Sequence, residues 1–247
     1  MTAETTEHGT GALLRAWSVH VFTASGAVVG LLALEAAARL DFQASALWML
    51  LALFIDGIDG SMARAARVSE IVPGVDGRRL DDIVDYLNYV IVPVAFLMWL
   101  GAIDSMWVAA APVLASAYGF SQADAKTEDH FFVGFPSYWN VVAIYVWAFE
   151  LDGFLVAALM VLLAAAVFVP LKYVYPSRMR SLWWTTNLGA GLWTLVVAAA
   201  TAMPELATRW NLMEASLLSP AWYVALSFWL GGLAHRYKKQ ATNAEAG

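Results

Sequence analysis

Residues 53–93 read LFIDGIDGSMARAARVSEIVPGVDGRRLDDIVDYLNYVIVP. Four carboxylates, Asp56, Asp59, Asp81 and Asp85, stand at the ends of two strongly apolar segments. Asp56 and Asp59 are three apart and Asp81 and Asp85 four apart, so on helices each pair shares one face. Two such helix ends facing one another would point four acids into one small volume. Unneutralised, they repel, and each is costly to bury.

Protonation would relieve that repulsion, but a bound divalent cation does so without raising the carboxyl pKa values. Oxygen ligands alone, with no cysteine and no well-placed histidine, suit Mg2+ or Mn2+ rather than zinc. Four carboxylates suffice for two ions about 3.5–4 Å apart, the arrangement of two-metal phosphoryl-transfer sites. Gly57 and Gly60 remove side chains where a diphosphate could approach the backbone, and Ala63 keeps the next turn narrow. Arg64, one turn past Gly60, has the reach for a bidentate phosphate contact. Gly77, one turn before Asp81, gives close helix packing or room for a nucleotide. Asp76 and Asp82 fall off the shared face and read as loop and helix-start charges.

The rest of the chain sets this cluster beside lipid. Of 247 residues, 61% are hydrophobic and only 14% charged, with mean hydropathy +0.63, far from soluble composition. The fold class expected is an all-α integral membrane protein of about eight transmembrane helices. The spans fall near 17–38, 42–64, 81–101, 106–122, 136–149, 153–175, 182–202 and 217–236, with 11–16 as an amphipathic lead-in. Residues 1–10 and 241–247 read as tails flanking a single membrane domain over 11–240.

With both termini cytoplasmic, twelve basic residues lie inside and only Arg39 and Arg209 outside, the asymmetry expected of cytoplasmic loops. The carboxylates, and so the active site, then face the cytoplasm. Net charge −6 gives no support to nucleic-acid binding. The loop MPELATRWNLMEAS reads as an outer turn with an interfacial Trp210.

The pattern Asp56, Asp59, Gly60, Ala63, Arg64, then Gly77, Asp81 and Asp85 resembles the signature of the CDP-alcohol phosphotransferase family. Twelve residues part Arg64 from Gly77 where the family commonly has eight; the longer spacer is similar to the bacterial phosphatidylcholine synthase branch. YGFSQADAKTEDHFFVGFPSYWN and LKYVYPSR look like that branch too. The resemblance implies transfer of a phosphatidyl group from CDP-diacylglycerol to an alcohol with release of CMP, in a bacterial inner membrane. It implies Asp56, Asp59, Asp81 and Asp85 as ligands of Mn2+ or Mg2+, with Asp85 the alternative general base. Gly60, Ala63, Arg64 and Gly77 would hold the CDP moiety, and the protein would form a homodimer.

Among acceptors, choline fits the loop around 118–139, where Asp124, Glu128 and Asp129 outnumber Lys126. Aromatic faces beside acid are what a quaternary ammonium prefers, and Tyr118, Tyr138 and Trp139 are the candidate wall, although interfacial belt positions read the same way. Lys172 and Arg178 are candidates for the lipid phosphate, or topology charges. His20 reads as packing. Serine is the alternative acceptor, and a cation transporter the alternative of another class, disfavoured because the acids sit at one face rather than at mid-membrane.

Overall fold

A computed structural model describes residues 9–122, 127, 129, 131–176 and 183–231. Arg178, Lys126, Asp124 and Glu128 lie outside them.

The chain is a helical bundle. Helices α1 (Thr10–Ala38) and α2 (Phe42–Ala65) pack along most of their length, joined by a short turn whose Asp41 caps α2 through the Ala44 amide at 3.0 Å. A short helix α3 (Val68–Ile71) precedes α4 (Gly77–Tyr86), a π-helical turn (Leu87–Ile91) and α5 (Val92–Trp99), which form one continuous rod. Then come α6 (Met106–Ser121), α7 (Trp139–Ala148), α8 (Gly153–Phe168), α9 (Trp183–Ala202), the short α10 (Pro204–Trp210) and α11 (Leu212–Ser216), and α12 (Leu218–Leu230).

Three of these, Thr10–Ala38, Phe42–Ala65 and Gly77–Trp99, are long and apolar enough to cross a membrane, or four if α9 and α10, bent by 117°, count as one. Leu188, Leu192 and Leu195 form an exposed stripe on α9 at spacings of four and three, while Trp193, Val197 and Ala200 on its other face are buried. Apolar side chains facing outward in such rows belong in lipid, where backbone groups must be satisfied within helices. The protein is an all-α membrane protein in its main architecture.

Several expectations need correcting. Residues 11–16 are not a separate surface helix but the first turns of α1. Helix α8 stops at Phe168, and Lys172–Val174 forms a strand, β2, antiparallel to β1 (Phe131–Val133), with Phe131 opposite Val174. Gly134 makes this possible: at φ +88° its Cα lies so close to the Val167 carbonyl that any side chain would collide. The segment expected to be a turn with Trp210 holds two short helices, α10 and α11. Asp76 is a cap, its carboxylate accepting from the Arg78 and Arg79 amides at the start of α4.

The long spacer also has a fold. Val68 and Val72 are buried against Ala16 and Val19 of α1, so the segment between Arg64 and Gly77 is a short helical clasp on that helix.

Helix α1 meets the α4 rod through Gly26 and Gly30. A methyl group at Gly26 would lie 2.8 Å from Val84 Cγ1, and one at Gly30 would lie 2.5 Å from Asn88 Oδ1. Small residues four apart permit this close approach. The Asn88 amide donates to the Gly26 and Val84 carbonyls, both at 3.0 Å, tying the two helices together. Its Oδ1 is buried with no hydrogen-bond partner among the described residues and occupies the space a Gly30 side chain would need.

Glycine to alanine in a helix interior ordinarily stabilises by about 0.5–1 kcal/mol. Gly30→Ala should do the opposite and cost on the order of 1–3 kcal/mol through overpacking, read as a lower unfolding temperature in detergent. An unchanged or higher temperature would mean that the seam is not closely packed.

Candidate metal centre and its surroundings

Asp56 and Asp59 come from the C-terminal part of α2, Asp81 and Asp85 from α4, and one cleft is lined by all four together with Thr23, Gly26, Ala52, Ile55, Val84, Asn88 and Tyr89. Its interior is small, about 10 Å³, and opens to solvent. One carboxylate oxygen from each of Asp56, Asp81 and Asp85 lies within 4.8 Å of the others.

That spacing fits a hard cation. Oxygens bound at 2.0–2.1 Å to a single Mg2+ sit roughly 3–4 Å apart, so small side-chain rotations would bring all three into one coordination shell. Asp59 shares the cleft but is buried and falls outside the 4.8 Å group. Three of the four acids are thus brought together, with the fourth one turn further along α2.

Arg64 folds back over Gly60. Its Nη2 donates to Ser61 Oγ at 2.9 Å, and Nη1 stands 3.4 Å from where a Gly60 methyl would be. Gly57 is different, with open space where its side chain would lie. Gly77 faces His20, whose Cε1 is 3.2 Å from a virtual Cβ there. Gly77 thus packs closely against α1. His20 is buried with Trp17 edge-on at 5.9 Å, and its Nε2 has no hydrogen-bond partner among the described residues.

The candidate aromatics separate. Trp139 is fully buried, and its indole donates to Ser116 Oγ at 2.8 Å, so it presents no face to a ligand. Tyr118 is exposed and leans on Phe168 at 4.9 Å between ring centres. Tyr138 stands against Tyr89, whose hydroxyl bonds Asp56. It is within electrostatic reach of Asp56 and Asp85 and sits between Tyr89 at 5.9 Å and Tyr223 at 5.8 Å. Lys172 is bonded to Asp129 at 2.6 Å and lies over the Phe131 ring at 5.3 Å. That bond holds the Asp129 carboxyl below its usual range, so the pair's contribution is complete above the ordinary carboxyl pKa of 3.8 and fades as pH falls through the lowered value.

Sequence reasoning missed Thr23, Gly26, Asn88 and Tyr89. Tyr89 continues the four-residue row Gly77, Asp81, Asp85, which was its signal. Thr23 and Gly26 lie on a third helix with no acid to draw attention to it.

No protein-family model matches the chain, but whole-protein relatives do. A phosphatidylcholine synthase of Pseudomonas aeruginosa is 34% identical over 225 residues, 87% of this chain and 91% of that protein. The chain belongs to the phosphatidylcholine synthase family. A Legionella pneumophila member is 46% identical over 169 residues, 66% of each chain, so the alignment takes in just under two thirds of that protein. A Borreliella burgdorferi member is 39% identical over 173 residues, 74% of its length.

Gly57→Ala offers a way to part folding from ligand approach. With nothing within 4 Å of the added methyl, thermal stability should hold or rise. The KM for a CDP-linked lipid should rise several-fold if the diphosphate passes over this backbone. An unchanged KM would remove Gly57 from the approach path.

Proposed function

We propose that the protein transfers a phosphatidyl group from CDP-diacylglycerol to choline, giving phosphatidylcholine and CMP. The observation carrying this is the convergence of Asp56, Asp81 and Asp85 within 4.8 Å in a chain of this family.

Asp56, Asp81 and Asp85 would hold a first Mn2+ or Mg2+, and Asp59, which lines the same cleft, would join them around a second. When bound, such ions neutralise the diphosphate and stabilise charge on the departing CMP. The residues of the chain do the rest. Arg64, hinged over Gly60, would reach a phosphate oxygen by a forked contact, and Ala63 keeps that turn low. Gly77 lets α4 close on α1, holding Asp81 and Asp85 in register. Asp85 would accept the choline hydroxyl proton as that oxygen forms its bond to the β-phosphorus. The bond between the β-phosphorus and the bridging oxygen breaks, and CMP leaves with the electron pair.

Tyr138 is the favoured wall for the quaternary ammonium, being the candidate aromatic within electrostatic reach of the acids. Tyr118 and Trp139 are less suited by their positions. Lys172, tied to Asp129, would serve a lipid phosphate only by exchanging that partner, and Arg178 follows it in sequence. The eight apolar segments each hold a helix, and the basic-residue asymmetry supports eight crossings with both ends and the active site cytoplasmic, in a bacterial inner membrane. A homodimer is the assembly implied by the family resemblance.

Purified protein incubated with CDP-diacylglycerol, Mn2+ and labelled choline, serine, inositol or glycerol phosphate should form lipid product from choline alone, with stoichiometric CMP. Product from serine instead would replace the acceptor. Asp85→Asn should lower kcat by roughly 10²–10⁴, the range of general-base loss; full turnover in that variant would remove Asp85 from the chemistry.

A further inference from the structure

Tyr89 is buried on the π-helical turn, and its hydroxyl donates to Asp56 Oδ2 at 2.6 Å. That distance is typical of a phenol bonded to an ionised carboxylate. The bond crosses from the α4 rod to α2, so it spans the two halves of the acidic cluster. We propose that Tyr89 is a positioning residue that fixes the Asp56 carboxylate in the orientation that receives a divalent cation. This rests on the reading that Asp56, Asp81 and Asp85 bind such an ion.

The backbone explains why Tyr89 can do this. In a regular α-helix, residues four apart advance by about 40° around the axis, so eight residues on from Asp81 the row has drifted by about 80°. The π turn, closed by the Val92 amide on the Leu87 carbonyl, packs more residues into its turn and offsets part of that drift. Tyr89 therefore stays aligned with Asp81 and Asp85 and reaches Asp56 across the cleft. The ring is held by its contact with Tyr138, and Asn88 beside it is pinned to Gly26 and Val84. The hydroxyl is accordingly aimed by packing on both sides. Groups that orient a metal ligand from behind commonly change metal affinity 10–100-fold when removed.

The test compares Mn2+ binding to substrate-free wild type and Tyr89→Phe by electron paramagnetic resonance titration, with unfolding temperature as a folding check. The phenylalanine keeps the ring contact and loses only the donor. Affinity should fall about 10-fold or more, and the Mn2+ concentration for half-maximal activity should rise in step. In an Asp56→Asn background the same change should add little, because its effect runs through Asp56. Wild type that binds no Mn2+ would overturn the metal reading itself. Wild type that binds, with Tyr89→Phe binding equally well, would overturn the role of Tyr89 alone. Should Tyr89→Phe not fold, the Mn2+-dependent infrared difference spectrum of ring-labelled wild type decides: a shifted tyrosine band at Tyr89 supports the assignment, and an unchanged one overturns it.

Discussion

Three carboxylates held within a few ångströms at the end of a lipid-embedded helix pair repel one another, and the architecture has to sustain that repulsion. At 4.8 Å, two unit charges interact by roughly 3–4 kcal/mol at an effective dielectric of about 20. Arg64, the basic residue of the signature, is turned onto Ser61 one turn past Gly60. A bound divalent cation, as proposed, would relieve that repulsion, and the surrounding elements are the means of holding the acids together.

Those means are mechanical. Gly26 and Gly30 draw α1 onto the α4 rod, Asn88 bonds the two, and α3 clasps α1 from the other side. Asp76 anchors the start of α4, and Tyr89 bridges from its continuation to Asp56. Two acidic pairs on separate helices thereby face one cleft. On the far side, the β1–β2 pair brings Lys172 to Asp129, and the Val174 carbonyl accepts from the Tyr223 hydroxyl, placing Tyr223 beside Tyr138. An aromatic path therefore runs from the acids to this small sheet.

Much of this was legible in the sequence because it rests on short-range periodicity. The three- and four-residue spacing of the acids fixes which face they share, and long apolar runs locate the helices. What escaped depends on contacts between distant segments. Strands of three residues carry too little pattern to stand out within an aromatic, apolar stretch, and β1 pairs with β2 some forty residues later. Trp139 looks like an interfacial aromatic until Ser116, on another helix, takes its indole proton. Asp76 was read as loop charge because capping depends on where the helix starts, the least certain feature of a sequence reading. The Gly26–Gly30 pair was overlooked for want of any sign of what it packs against.

As proposed, these acids form a cation site facing a nucleotide diphosphate. The most direct test is anomalous scattering at the manganese edge from crystals grown with Mn2+ and CDP. The account predicts an anomalous peak at coordination distance from oxygens of Asp56, Asp81 and Asp85, with the diphosphate on its open side. Manganese bound elsewhere, or a cleft whose carboxylates have moved apart around no ion at all, would contradict it.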